Sequence, residues 1–268
     1  MPPIFQKKLM IFFKTEEEIE LLRNSNILAA KTLGELAKWI KPGVSTLKLN
    51  DIADTFIRDH KGVPGFLNYR GFPKSICTSV NDQVVHGIPN ETPLIEGDIV
   101  SVDCGVILNG FVGDMAYTFE IGDIKPEIKK LLSTTKEALY KGIEQAIEGR
   151  RIGDIGFAIQ KHCEEAGFSV VREMVGHGVG RKLHEEPEVP NFGRRGYGSK
   201  MRRGMVLAIE PMINYGKRDI VQEQDGWTVR STDRSVSAHF EHSVAIGKKN
   251  ADILSTFEYI EKELSLRP

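Results

Sequence analysis

The chain has 268 residues, 36 Lys and Arg against 37 Asp and Glu, 40% apolar residues and a mean hydropathy of -0.25. A chain of that make-up can bury roughly three quarters of its unfolded surface, which excludes a disordered protein. Its formal charge of -1 supplies no global field for nucleic acid or anionic lipid, so neither DNA nor a membrane is an expected partner.

The chain opens on Lys7-Lys8 and the apolar run Leu9 to Phe13, which is too short for a signal peptide and ends at Lys14 and Glu16. No stretch approaches the roughly 18 to 20 apolar residues of a spanning helix. Thr15 with Glu18 then forms a capping box, and Ile19, Leu22, Ile27, Ala30, Leu33, Ala37 and Ile40 recur at helical spacing up to Lys41-Pro42-Gly43. A second helix runs from Thr46 to about Asp59 with Leu49, Ile52, Ala53, Phe56 and Ile57 on its buried stripe. Strands follow over Asp98 to Val106 and Phe111 to Ile121, separated by Asn109-Gly110, a strong hairpin signal.

The same grammar then returns. Pro126 opens a helix carrying Ile128, Leu131, Leu132, Ala138 and Ile143, Gly149 breaks it, and Gly153-Asp154 starts another that runs to Ala166. Strand-like runs cover Gly167 to Arg172, Gly204 to Ile213 and Ser235 to Ile246. A helix pair followed by antiparallel strands, twice over, predicts an α+β protein with internal pseudo-symmetry, one domain over 1–268 with halves at roughly 15–121 and 125–248. Cys77, Cys104 and Cys163 make no CxxC pair and no disulfide framework, so a reducing, cytoplasmic setting is expected.

The chemistry lies in acids that interrupt apolar strands. A two-residue turn at Asn109 and Gly110 pairs positions whose numbers sum to 219, which sets Asp103 opposite Ala116 and Asp114 opposite Gly105. Asp103 and Asp114 then project from one face as diagonal neighbours, with Cβ atoms roughly 7 Å apart. Glu210, in Ile209-Glu210-Pro211, and Glu241, in Phe240-Glu241-His242, repeat the anomaly. Four converging carboxylates must be protonated or neutralised by cations, and two divalent ions balance four negative charges. A histidine among oxygen ligands turns the preference toward transition metals, and His86, His177 and His184 are candidates, each bracketed by Gly or Pro that lets the backbone approach closely. His184-Glu185-Glu186-Pro187-Glu188 is no zincin helix, no phosphate loop or GxSxG is present, and Cys104 falls on the opposite strand face as a packing residue.

Asp103, Asp114, His177, Glu210 and Glu241 in this order, with His86-Gly87-Ile88-Pro89 and Gly176-His177-Gly178-Val179-Gly180, closely resemble the methionine aminopeptidases over residues 15–248. The 26-residue step from His184 to Glu210 resembles the type I enzymes, and the short N-terminus is bacterial or organellar in style. The resemblance implies a pita-bread fold, with an antiparallel sheet flanked by two helix pairs. It implies two divalent ions (Co, Mn, Fe or Zn) bridged by Asp114 and Glu241, with Asp103 completing one shell and His177 and Glu210 the other. It further implies a water or hydroxide nucleophile held between the ions, Glu210 as proton shuttle, His86 donating toward the scissile amide and His184 toward the carbonyl oxygen.

Tyr69, Phe72, Cys77 and Trp227 resemble the family's methionine pocket, while Leu183 and Met115 depart from it. The implied substrate is the N-terminal Met of nascent polypeptides, and a monomer is expected. The rival readings are an Xaa-Pro peptidase of the same fold, which usually carries a further N-terminal domain, and a metal-free binding platform that should have lost ligands. A basic loop, Arg194, Arg195, Lys200, Arg202 and Arg203, offers a ribosome contact against the simpler reading of a solvated loop.

Overall fold

The structure is a computed structural model that describes residues 10–266, so Lys7, Lys8 and Leu9 of the apolar start lie outside the described residues. Helix α1 (Glu16–Ala37) begins where the capping box predicts: the Thr15 hydroxyl accepts from the Glu18 N–H, and the Glu18 carboxylate accepts from the Thr15 N–H. Helix α2 (Thr46–Asp59) starts at Ser45, whose hydroxyl accepts from Lys48 N–H. Short strands β1 (Val63–Pro64), β2 (Cys77–Val80) and β3 (Gln83–Val85) lead to the long hairpin β4 (Ile99–Leu108) and β5 (Phe111–Glu120). Asn109 and Gly110 both take positive φ, 53° and 78°, as a two-residue turn of this hand requires. The register is the one the turn dictates, with Asp103 opposite Ala116 and Gly105 opposite Asp114 and no bulge between.

Helices α3 (Pro126–Ile143) and α4 (Ile152–Glu165) form the second pair and pack on each other. Strands β6 (Ser169–Val170), β7 (Gly176–Gly178), β8 (Glu185–Val189), β9 (Val206–Ile209), β10 (Met212–Asn214), β11 (Ile220–Gln222), β12 (Val229–Ser231), β13 (Ser237–His239), β14 (His242–Ala245) and β15 (Asp252–Ile253) follow, and α5 (Glu258–Ser265) closes the described chain against α1. Every strand pair is antiparallel, as expected, but the strands divide into four hydrogen-bonded sheets. β4 carries β5 along one edge and β2 and β1 along the other. The order β15-β14-β9-β7-β8 makes the largest sheet, while β13-β10-β6 and β11-β12-β3 make two smaller ones.

The runs Gly204 to Ile213 and Ser235 to Ile246 each read as one strand, and each is two. β9 and β14 pair in the five-stranded sheet, β10 and β13 in a three-stranded one, and the crossing points are Glu210-Pro211 and Phe240-Glu241. Pro211 has no N–H to continue a ladder, and the Glu241 N–H leaves its own strand pair to donate to Ala116 O at 3.0 Å on β5. Both glutamates therefore sit at bends between sheets, where a side chain can turn into the space the sheets enclose.

One apolar cluster joins both helix pairs to the strands: Leu33, Leu49 and Ile57 from the first, Leu139, Ile155 and Ile159 from the second, with Val102, Cys104, Leu207 and Ile209 between them. Cys104 is fully buried in this cluster, on the face opposite Asp103. α1 lies so close to β5 that a Cβ on Gly113 would meet Asn26 N and Ser25 C at 2.3 Å. Beside that contact the Asn26 side chain accepts from Asp114 N–H at 3.2 Å and donates to Leu22 O at 2.9 Å. Replacing Gly113 with Ala forces backbone apart from backbone, and denaturant unfolding of the Gly113→Ala variant is expected to show a loss of about 1–3 kcal/mol. An unchanged midpoint would contradict this clamp between helix and strand.

Candidate active site

The four acids and the three histidines picked out by sequence line one cavity of about 280 Å³, together with Tyr69, Phe72, Cys77 and Trp227. Asp103 and Asp114 reach it from β4 and β5, Glu210 and Glu241 from the two bends, and His177 from the middle of β7, opposite Ala208. Asp114, His177 and Glu241 are buried and present one ligand atom each within 4.8 Å of one another. His177 Nε2 stands 3.7 Å from Asp114 Oδ2 and 3.4 Å from Glu210 Oε1. Its Nδ1 lies 2.9 Å from Gly178 O, which assigns the ring proton to Nδ1 and leaves the Nε2 lone pair facing the acids.

Glycines set this approach. A Cβ on Gly176 would meet Ala208 O at 2.3 Å and one on Gly178 would meet Glu186 O at 2.4 Å, so β7 can thread between β8 and β9 only with glycine on both sides of His177. His86 itself has φ 60°, a left-handed backbone that costs a non-glycine residue energy, and Gly87 after it lies against Thr78 O. The two residues together turn the chain sharply into the cavity. Trp227 meets the rings of both His86 and Phe72 edge-on, at 6.4 and 5.2 Å between centroids. Tyr69 Oη lies 2.9 Å from His184 Nδ1 with the rings stacked, and His184 is 4.2 Å from His177 between centroids.

Burial dominates the proton affinities. It pushes Asp103 and Glu210 up to about 7, with the nearby His239 pulling Asp103 back and His177 pulling Glu210 back. Asp114 and Glu241 are pushed well above the carboxylate range, first by burial and then by the other acids. Burial holds His86 down at about 4 and His184 at about 3, so both imidazoles are neutral at pH 7. Asp103 Oδ1, Asp114 Oδ1 and Glu241 Oε1 are buried with no hydrogen-bond partner. Acceptor oxygens in that state call for cations. An oxygen-rich set with one imidazole fits divalent transition ions.

Several cavity residues carried no signal in the sequence. Phe66 and Met212 complete the apolar wall, Leu183 stands beside them, and Arg70 and Glu173 lie on the lining as well. Phe66 could not be told from a core aromatic, because its role follows from Gly65 backing onto Gly105 O, a contact between distant segments. Cys77 is explained by pairing: it stands directly across from Asp103.

Residues 20–248 match the profile of "Metallopeptidase family M24". A "Methionine aminopeptidase" of Clostridium acetobutylicum is 48% identical over 93% of this chain and all of its own length. "Methionine aminopeptidase 1" of Bacillus subtilis is 48% identical over 92% of this chain and 99% of its own. The crystal structure of methionine aminopeptidase from Rickettsia prowazekii superposes with a TM-score of 0.91 at 45% identity, covering 92% of this chain and all of that one. An Xaa-Pro dipeptidase from Bacillus anthracis, 18% identical with a TM-score of 0.75, shares the fold. The chain belongs to metallopeptidase family M24, within its methionine aminopeptidase branch. The pita-bread architecture expected from the resemblance is the architecture found.

The buried acids make metal-free stability depend on pH. Above about pH 5 the unfolded chain has shed most of its carboxylic protons, while in the folded state Asp103 and Glu210, pushed up to about 7, keep theirs to near neutrality, and Asp114 and Glu241, pushed well above the carboxylate range, act in the same sense. The folded form then binds more protons, and stability falls as pH rises, by about 1.4 kcal/mol per pH unit for each proton retained. The buried histidines act in the opposite sense only below about pH 6.5, where the unfolded chain protonates and His86 and His184 do not. Thermal melts in chelator should therefore drop between pH 6.5 and 8, and melts with saturating Mn²⁺ should stay nearly level. Equal slopes with and without metal would count against a cation-neutralised cluster.

Proposed function

We propose that this protein is a type I methionine aminopeptidase, one catalytic unit that removes the initiator Met from nascent proteins when the next residue is small. The observation that carries the reading is that the five donors and an apolar, aromatic wall share one cavity. Asp103, Asp114, His177, Glu210 and Glu241 would together hold two divalent ions of the Co, Mn, Fe or Zn kind. When bound, the ions supply Lewis acidity, polarising the scissile carbonyl and acidifying the attacking water.

The chain's own groups do the rest. Phe66, Tyr69, Phe72, Cys77, Leu183 and Trp227 offer a polarizable slot suited to a thioether, which favours contact with aromatic edges. Glu210 takes the proton from the attacking water and returns it to the departing amine. To donate from Nε2–H toward the carbonyl oxygen, the neutral His184 would accept at Nδ1 from the Tyr69 hydroxyl, which lies 2.9 Å away. His86, also neutral, donates toward the scissile amide.

The presence of all five donors on one cavity speaks against a catalytically silent platform, and the Xaa-Pro dipeptidase that shares the fold is 18% identical. The three cysteines are free and buried, which suits a reducing, cytoplasmic setting, and no helix among the described residues is long and apolar enough to cross a membrane. In the basic loop Arg194, Arg195, Lys200, Arg202 and Arg203 are all exposed, which supports contact with ribosomal RNA phosphates. Reversing the five charges should weaken cosedimentation with ribosomes at low salt, and unchanged binding removes that contact.

The direct test is release of free methionine from a Met-Ala-Ser peptide, abolished by chelator and restored by Mn²⁺ or Co²⁺, beside an Xaa-Pro peptide that should stay intact. Glu210→Gln should lower kcat by at least about 100-fold, as loss of a general base does. Full turnover in that variant would mean that another group moves the proton.

A further inference from the structure

His239 stands outside the set of donors assigned above, two residues before Glu241, and is buried at 1% exposure. Its Nε2 has no hydrogen-bond partner and faces Glu210 Oε2 across 3.4 Å, while the other oxygen of the same carboxylate, Oε1, stands 3.4 Å from His177 Nε2. Glu210 is thus flanked by two imidazoles, one per oxygen. Its backbone is fixed to β5: the Thr118 hydroxyl donates to His239 O at 2.7 Å and accepts from His239 N–H at 3.0 Å. Met212, directly across from His239 on β10, lines the cavity two residues beyond Glu210.

We infer that His239 is a positioning residue for Glu210, donating from Nε2–H to Oε2 and so aiming Oε1 at the metal site, an inference that rests on the metal centre proposed above. A neutral imidazole with its proton on Nε2 can do this with a small turn of the carboxylate, and it satisfies a buried nitrogen that otherwise has no partner. A Glu210 free to rotate would present either oxygen, or neither, to an ion. Second partners of this kind orient the groups that touch metal.

The test compares wild type with His239→Leu, His239→Gln and His239→Asn by calorimetric titration of the metal-free proteins with Mn²⁺, with kcat and KM on the Met-Ala-Ser peptide alongside. His239→Leu should bind Mn²⁺ about 10- to 100-fold more weakly and lose kcat with KM little changed. His239→Gln keeps an N–H donor of similar reach and should restore both to within a few-fold. His239→Asn keeps polarity but falls short of Glu210, so it should behave like the Leu variant and replaces it should that one not fold. The visible absorption of the Co²⁺-loaded Gln variant should match wild type, because the donor atoms are unchanged.

Wild-type metal affinity in the Leu or Asn variant overturns the inference, as does a Gln variant no better than Leu. A displaced Co²⁺ band in the Gln variant also overturns it, by making His239 a ligand. Failure of the wild-type protein itself to bind metal would remove the centre instead.

Discussion

Four carboxylates that would repel one another are held at one cavity by backbone segments with no freedom to separate. Asp103 and Asp114 are locked by hairpin register, and Glu210 and Glu241 by bends between sheets whose flanking strands pair with each other. With unpartnered, buried oxygens on three of them, the cluster is stable at neutral pH only when protons or cations share it. Folding energy from a single apolar cluster spanning both helix pairs maintains this unfavourable arrangement, and binding free energy of cations relieves it. Stability and chemistry are thus coupled through the same oxygens.

The close backbone contacts follow from that constraint. Strands that bring such side chains within a few ångströms of one another must pass each other nearer than a Cβ permits, which is why Gly113 lies beside Asp114 and Gly176 and Gly178 flank His177. Each of these glycines has its space filled by another segment's backbone, so each is a packing requirement of the position beside Asp114 or His177. The left-handed φ of His86 is the same economy of space expressed as strain.

Much of this was legible in the sequence, for reasons that differ by residue. Asn109-Gly110 admits one turn geometry, and the turn fixes the pairing of twenty flanking residues by arithmetic; Asp103 and Asp114 had to share a face. Thr15 and Glu18, or Pro126, mark helix starts because the first turn needs those groups locally. Glu210 and Glu241 were legible as acids in apolar runs, but the breaks at those positions were not. Apolar runs look continuous whether a strand stays in one sheet or crosses to another, and only Pro211 hinted at the interruption. Strands of two to five residues such as β2, β7 and β8 are too short to show a period, so their existence is decided by partners far along the chain. Phe66 and His239 stayed hidden for the same reason.

The neutrality of the histidines completes the logic of the site. In a cavity crowded with ionised acids, a histidine would charge and pair. Burial first, then neighbouring imidazoles and for His184 also Arg70, hold His86 and His184 far below that, and burial pushes Asp114 and Glu241 the other way, well above the carboxylate range. An imidazolium would donate from both nitrogens, and the Tyr69 hydroxyl could then no longer donate to His184 Nδ1 and fix the direction of Nε2–H. Each ring is also held at one nitrogen: Gly178 O accepts from His177 Nδ1, and Tyr69 Oη stands 2.9 Å from His184 Nδ1. Holding His86 and His184 neutral at pH 7 makes these two rings directional, each with one proton and one lone pair, in a cavity whose acids are shifted the opposite way.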